Sequence, residues 1–271
     1  MDADTRNLTE PVVDTHCHLY WPGLIEQVDE VIGRAREAGV GSIVVPGINL
    51  STSLVAQDLA HRFAGVYFAA GVHPSETEAA GCVAPAEFFK PFLEDPKLVA
   101  IGEIGLDAHH DPGAVERQRP LFRAQLGLAA ERDLPVIIHH RDAGRSVIAE
   151  LSGFPGLRGV FHCFEGSRRL LGFAREHGFF ISLAGNVTYP TAQNIQAQLS
   201  RIPEDRLVIE TDAPWMPPEP VREGRRCEPA HVMHTFRFLA AGLAKSTNML
   251  RILLSRNSRE LFQIVGDIDG A

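Results

Sequence analysis

The sequence predicts an α/β fold, a single (β/α)8 TIM barrel with an additional C-terminal helix. Three observations carry that expectation. Short apolar, often β-branched runs alternate with longer amphipathic segments eight times, which is the element count of a closed barrel. The 271 residues match the roughly 250 of one such barrel. No composition break or residue-level repeat divides the chain, so 1–271 reads as one domain. A doubly wound open sheet is the alternative.

The first unit pairs a strand at 12–19 (Val12-Val13-Asp14-Thr15-His16-Cys17-His18-Leu19) with an amphipathic helix at 24–38. Its turn, Tyr20-Trp21-Pro22-Gly23, lacks the glycine fingerprint that cradles a pyrophosphate, which counts against the open dinucleotide-binding sheet. Strands at 42–47, 66–72 and 98–105 follow, with helices at 54–63, 86–93 and 114–132. The second half repeats the pattern with strands at 135–140, 159–164, 179–184 and 207–212. Their helices fall at 144–151, 168–177, 192–201 and 231–245. A last helix at 247–265 is expected outside the barrel. The loop from 214 to 229 carries five prolines after the eighth strand, where barrel enzymes present substrate contacts.

Lys and Arg number 26 against 34 Asp and Glu, a net charge of −8, which argues against coating nucleic acid or an anionic membrane through the overall field. No apolar run is long enough to span a bilayer. Residues 1–7 lack a cationic region followed by an apolar stretch, so no secretion signal is expected. Cys17, Cys82, Cys163 and Cys227 form no Cys-x-x-Cys pair and suit a reducing compartment, making the cytoplasm the expected location.

Barrel strands are buried and apolar, so ionisable residues at strand ends are the informative ones. His16 and His18, two apart, share one face with Asp14 below them. Glu103 ends the fourth strand between Gly102 and Gly105, which leave room for something to approach the carboxylate. His139, His162 and Asp212 end the fifth, sixth and eighth strands. One histidine at a strand end is ordinarily a hydrogen-bonded structural residue. Four histidines and two carboxylates at one end of one barrel are too costly to bury without a compensating cation. Nitrogen and oxygen donors without thiolate fit Zn, Mn, Fe or Mg, and their number suffices for two divalent cations sharing a carboxylate. The chemistry that follows is hydrolysis, with Asp212 as the natural base toward water. Glu210 shares the face of Asp212 one layer deeper and, like Asp14, reads as a hydrogen-bond partner of the ligands rather than a ligand.

The motifs Asp14-Thr15-His16-Cys17-His18-Leu19, Gly71-Val72-His73-Pro74, Ile101-Gly102-Glu103-Ile104-Gly105-Leu106-Asp107, His139-His140-Arg141-Asp142-Ala143, His162-Cys163-Phe164-Glu165-Gly166 and Glu210-Thr211-Asp212-Ala213-Pro214 occur in this order. Together they resemble the TatD family of metal-dependent deoxyribonucleases within the amidohydrolase superfamily. The resemblance implies one metal held by His16, His18, Glu103 and Asp212 and a second held by Glu103, His139 and His162, with Mg, Mn or Zn as cofactor. It implies that His73 faces the substrate phosphate and that His139 rather than His140 is the ligand, and Arg141, just after the fifth strand, is expected on the substrate side because its guanidinium matches phosphate oxygens. It also implies a DNA substrate, single-stranded and trimmed from the 3′ end, and the sequence makes no obligate protein partner evident. The long loop departs from the family pattern, carrying Cys227 where asparagine is usual, and an inert spacer is the expected reading.

Arg141, Arg145, Arg222, Arg225 and Arg226 could make the mouth locally positive, and Trp215 and Tyr189 could face an unstacked base or simply pack. Arg168, Arg169 and the His109-His110-Asp111 run read as surface. Two other functions compete. The same site could hydrolyse an ester or amide, such as an aminoacyl linkage on transfer RNA, or the barrel could be a weakly active metal-binding interaction protein.

Overall fold

Eight parallel strands pair in chain order: β1 (Val12–Asp14), β2 (Val40–Pro46), β3 (Val66–Ala70), β4 (Leu98–Gly105), β5 (Val136–His139), β6 (Gly159–Phe161), β7 (Phe180–Leu183) and β8 (Leu207–Ile209). The structure is a computed structural model that describes residues 10–77, 85–224 and 226–264. The expectations for Cys82, Arg225, Val265 and residues 1–7 lie outside the described residues. Beyond the ladders the first and last strands meet. Thr15 N donates to Ile209 O (3.1 Å), Asp212 N to His16 O (2.9 Å) and His18 N to Ala213 O (2.8 Å), which closes the barrel at its C-terminal end. The open-sheet alternative is thereby excluded.

A helix follows each strand: α1 (Val28–Ala38), α2 (Leu50–Arg62), α3 (Pro85–Phe89), α4 (Ala114–Glu131), α5 (Gly144–Leu151), α6 (Arg168–His177), α7 (Gln193–Gln196) and α8 (Val232–Gly242). The additional helix is α9 (Thr247–Phe262). Several bounds shift, and β6 and β8 stop before His162 and Asp212, which were expected to end them. β1 leaves its ladder after Asp14, because the extended chain then alternates partners, Thr15 N bonding β8 and Cys17 N bonding Val44 O of β2. Glu103 lies inside β4 rather than at its end. α2 begins at Leu50 instead of 54, since Asn49 and Thr52 form a reciprocal cap that apolar spacing does not reveal. The 192–201 helix is only α7 followed by a 3-10 turn at Leu199–Arg201, whose sparse apolar positions, Ile195, Leu199 and Ile202, such turns also bury.

Buried apolar side chains form two clusters. The larger one fills the layer between strands and helices. The smaller one takes Val44, Tyr67, Ile137, Val160, Phe180 and Val208 from the strands and, among the described residues, none from α1–α8, so it is the barrel lumen. Leu261, Phe262 and Ile264 join it from the end of α9 and stop the lumen at its N-terminal mouth. The opposite mouth is left to polar residues.

Candidate metal centre

At the C-terminal mouth, His16 and His18 from the β1 extension, Glu103 on β4, His139 on β5, and His162 and Asp212 just beyond β6 and β8 come together, as the sequence predicts. Asp212 has φ 54° and the neighbouring Cys163 φ 45°, left-handed conformations uncommon outside glycine and concentrated at functional sites. The glycines around Glu103 serve packing rather than ligand access. A Cβ on Gly102 would lie 2.6 Å from Ile137 Cβ, and one on Gly105 2.0 Å from His139 O, so both let β5 approach β4 closely.

The two oxygens of Glu103 face different partners. Oε2 lies 3.4 Å from His16 Nε2 and 3.6 Å from His18 Nε2. Asp212 Oδ1 completes that group, 3.7 and 3.6 Å from the same two nitrogens. Oε1 lies 3.0 Å from His139 Nδ1, 2.9 Å from His162 Nε2 and 3.4 Å from His73 Nε2. Donors that share one cation with bonds of about 2.0–2.2 Å stand about 3.0–3.4 Å apart, close to the spacings seen. His16 Nε2 and His18 Nε2, 3.0 Å apart, need a proton or a cation between them. The donor set therefore fits divalent cations. His16 and His162 stack at 4.2 Å and join the two groups into one rigid wall.

Burial opposes ionisation of Glu103, but His162, His73 and hydrogen bonds from His139 and His16 outweigh it and hold the carboxyl well below the carboxylate range. Asp212, also buried, is lowered by His18 and His16. Burial lowers His16, whereas for His162 the facing Glu103 and Glu210 overcome burial and raise it well above the histidine range. The cluster is a buried charge network that a cation would consolidate.

Hydrogen bonds orient these side chains from behind. Glu210 accepts from Cys163 N (2.6 Å) and Ser182 Oγ (2.6 Å), with Oε1 3.5 Å from His162 Nδ1, the supporting place expected of it. Asp14 acts differently from expectation. Its carboxylate accepts from Thr211 N (2.9 Å), Thr211 Oγ1 (2.6 Å) and His16 N (3.4 Å), so it fixes the backbone beside two of the site residues rather than an imidazole. Sequence reasoning missed two partners. Asp107 Oδ2 lies 2.8 Å from His139 Nε2, and Tyr20 Oη lies 2.6 Å from His18 Nδ1 while donating to Pro46 O. The same period of two that linked His16 to His18 extends to Tyr20 and was the available signal.

Above the cluster opens a cleft of about 600 Å³ lined by Trp21, His73, Arg141, Glu165 and Trp215 among others. Of Arg141, Arg145, Arg222 and Arg226, only Arg141 lines it. Arg222 sits 3.9 Å over the Tyr189 ring, and Arg226 bonds the Pro22 carbonyl. Tyr189 donates to Pro217 O (3.0 Å), which gives it a packing role. Arg168, Arg169, His109 and Asp111 are exposed as expected, and His110 reaches the cleft wall. Cys227 is fully buried, and burial raises its thiol well above the ordinary range, in keeping with an inert spacer. His140 turns from the cluster and packs edge-on against Phe161.

The model of the TatD-related DNases matches residues 13–263. The chain is 35% identical over 257 residues to an uncharacterized metal-dependent hydrolase, YabD, of Bacillus subtilis, covering 93% of this chain and 98% of that protein. It is 37% identical over 250 residues to a protein of Klebsiella pneumoniae named 3'-5' ssDNA/RNA exonuclease TatD, covering 89% and 93%. The crystal structure of YjjV, a TatD homolog from Escherichia coli, superposes with a TM-score of 0.87 at 32% identity over 94% of this chain and 98% of that one. With the fold, the ordered motifs and the buried donor cluster in agreement, the chain belongs to the TatD-related DNase family and is a metal-dependent hydrolase acting on ester bonds.

Proposed function

We propose that the chain is a 3′-5′ exonuclease acting on single-stranded DNA through two divalent cations, Mg, Mn or Zn. The observation that carries this reading is the division of Glu103, with one oxygen toward His16 and His18 and the other toward His139 and His162. In this reading His16, His18, Glu103 and Asp212 hold one cation, and Glu103, His139 and His162 the other. When bound, such a pair supplies Lewis acidity to a phosphodiester and acidifies water. Asp212, kept ionised by its histidine neighbours, accepts the proton of the attacking water. His73, on the cleft wall beside Glu103, faces the phosphate, and Arg141 at the rim offers a planar donor pair to the next one. The name carried by the Klebsiella relative supports a nucleic-acid substrate. The free thiols Cys17, Cys163 and Cys227 support a cytoplasmic setting.

The test strips the protein with chelator, restores Mg, Mn or Zn separately, and follows end-labelled single-stranded DNA on a gel, with RNA in parallel. Asp212→Asn, prepared identically, controls for contaminating nuclease. Metal-restored laddering from the 3′ end by the wild type and not by the variant is the expected result. Equal activity in both would contradict the catalytic assignment, and intact strands with metal bound would move the substrate to an ester or amide.

A further inference from the structure

The cleft has two unlike walls. Arg141, Glu165 and His110 line it from the loops after β5, β6 and β4, whereas the apolar Trp21, Trp215, Ile48 and Met216 line it from the loops after β1, β8 and β2, the opposite half of the closed barrel. Trp215 is 40% exposed and lines the cleft above the cluster. Both tryptophans are anchored to site residues by the same turn. Trp21 N donates to His18 O, and Trp215 N to Asp212 O, each at 2.9 Å. The ring contacts of Trp215 among the described residues are both edge-to-face, with His18 at 5.2 Å and Trp21 at 4.6 Å, so none of these rings lies flat against the indole.

We propose that Trp215 is a stacking platform for the base of the nucleotide whose phosphate meets the Glu103 cluster, and that Trp21 positions it. The inference rests on the phosphodiesterase reading above and adds a base subsite to it. An indole stacks on any base, because every base has a π-face, so this subsite recognises single-stranded ends without reading sequence. A paired base, already stacked in its duplex, is not free to enter. Packing alone does not explain why an indole held against a site residue stays open to the cleft.

Two end-labelled single strands test the proposal, one ending in a 3′ thymidylate and one ending in a stable tetrahydrofuran abasic residue. Metal-loaded wild type is expected to release the thymidylate with kcat/KM roughly tenfold to a hundredfold above the abasic residue. Trp215→Ala is expected to bring that ratio close to one and Trp215→Phe to keep most of it. The chain has two tryptophans, so Trp21→Phe, which keeps an aromatic ring against Trp215, leaves Trp215 as the sole indole fluorophore, and an unchanged thymidylate-to-abasic cleavage ratio in this variant checks that Trp215 is still in place. Its emission is expected to be quenched by the base-ended strand and much less by the abasic one. Equal cleavage of the two strands by wild type, an unchanged ratio in Trp215→Ala, or equal quenching would overturn the stacking proposal alone. Strands left intact by metal-loaded wild type would instead overturn the phosphodiesterase reading.

Discussion

His139 is held at both ring nitrogens, Nδ1 facing Glu103 Oε1 at 3.0 Å and Nε2 facing Asp107 Oδ2 at 2.8 Å. A carboxylate behind an imidazole fixes its tautomer and orientation, and losing such a partner costs about 10–100-fold in metal affinity. Asp107→Asn is therefore expected to weaken Zn or Mn binding by that order in calorimetry while the circular dichroism of the fold stays intact. An unchanged isotherm would show that His139 needs no support. His140 gives a different prediction. Burial, reinforced by His162 and His139, drives its pKa down to about 3, and its Nε2 has no hydrogen-bond partner among the described residues. The native protein keeps this ring neutral while the unfolded chain protonates it near the ordinary value of 6.5. Its contribution is thus fully present above that value and is lost as pH falls toward 3. Urea midpoints of a His140→Leu variant should fall less than those of wild type on acidification, and parallel curves would refute the assignment. At this scale the cluster residues were legible because polar side chains at buried strand ends stand out. Asp107 and Tyr20 were not, because they act through another side chain, and the detailed role of Asp14 depended on which backbone groups surround it.

α9 is tied to the barrel by Asn257, which is fully buried and donates to Glu204 O (2.7 Å) and Leu207 O (2.8 Å) at the entrance to β8. Asn257→Ala deprives both carbonyls and is expected to cost about 2–3 kcal/mol in chemical denaturation. A midpoint equal to wild type would mean that the apolar face of α9 alone docks it. Strand positions were legible because β-branched runs such as Val136-Ile137-Ile138 have no competing reading beside their turns. Element ends were less so. The start of α2 is fixed by a cap between Asn49 and Thr52, and the end of the β1 ladder by a change of hydrogen-bond partner, neither of which hydrophobic spacing encodes.

The whole barrel spends its polar residues at one mouth. Side chains separated by nearly two hundred residues, from His16 to Asp212, meet only because β8 closes on β1. Closure could be read from the count of eight units, yet the split of Glu103 between two groups of histidines needed coordinates. Because the donors come from several strands, cation binding should tighten the fold as a whole. At about a hundredfold excess over Kd the gain is about 2.7 kcal/mol, or roughly 5–10 °C in melting temperature, reversed by chelator. A melting temperature indifferent to Zn, Mn and Mg would remove the cation from this mouth. The most direct measurement is anomalous diffraction from crystals of the protein loaded with Mn. A two-cation centre gives two peaks about 3.5–4 Å apart, one beside His16 and His18, one beside His139 and His162, with Glu103 between them. A single peak, or two peaks that Glu103 does not bridge, would contradict it.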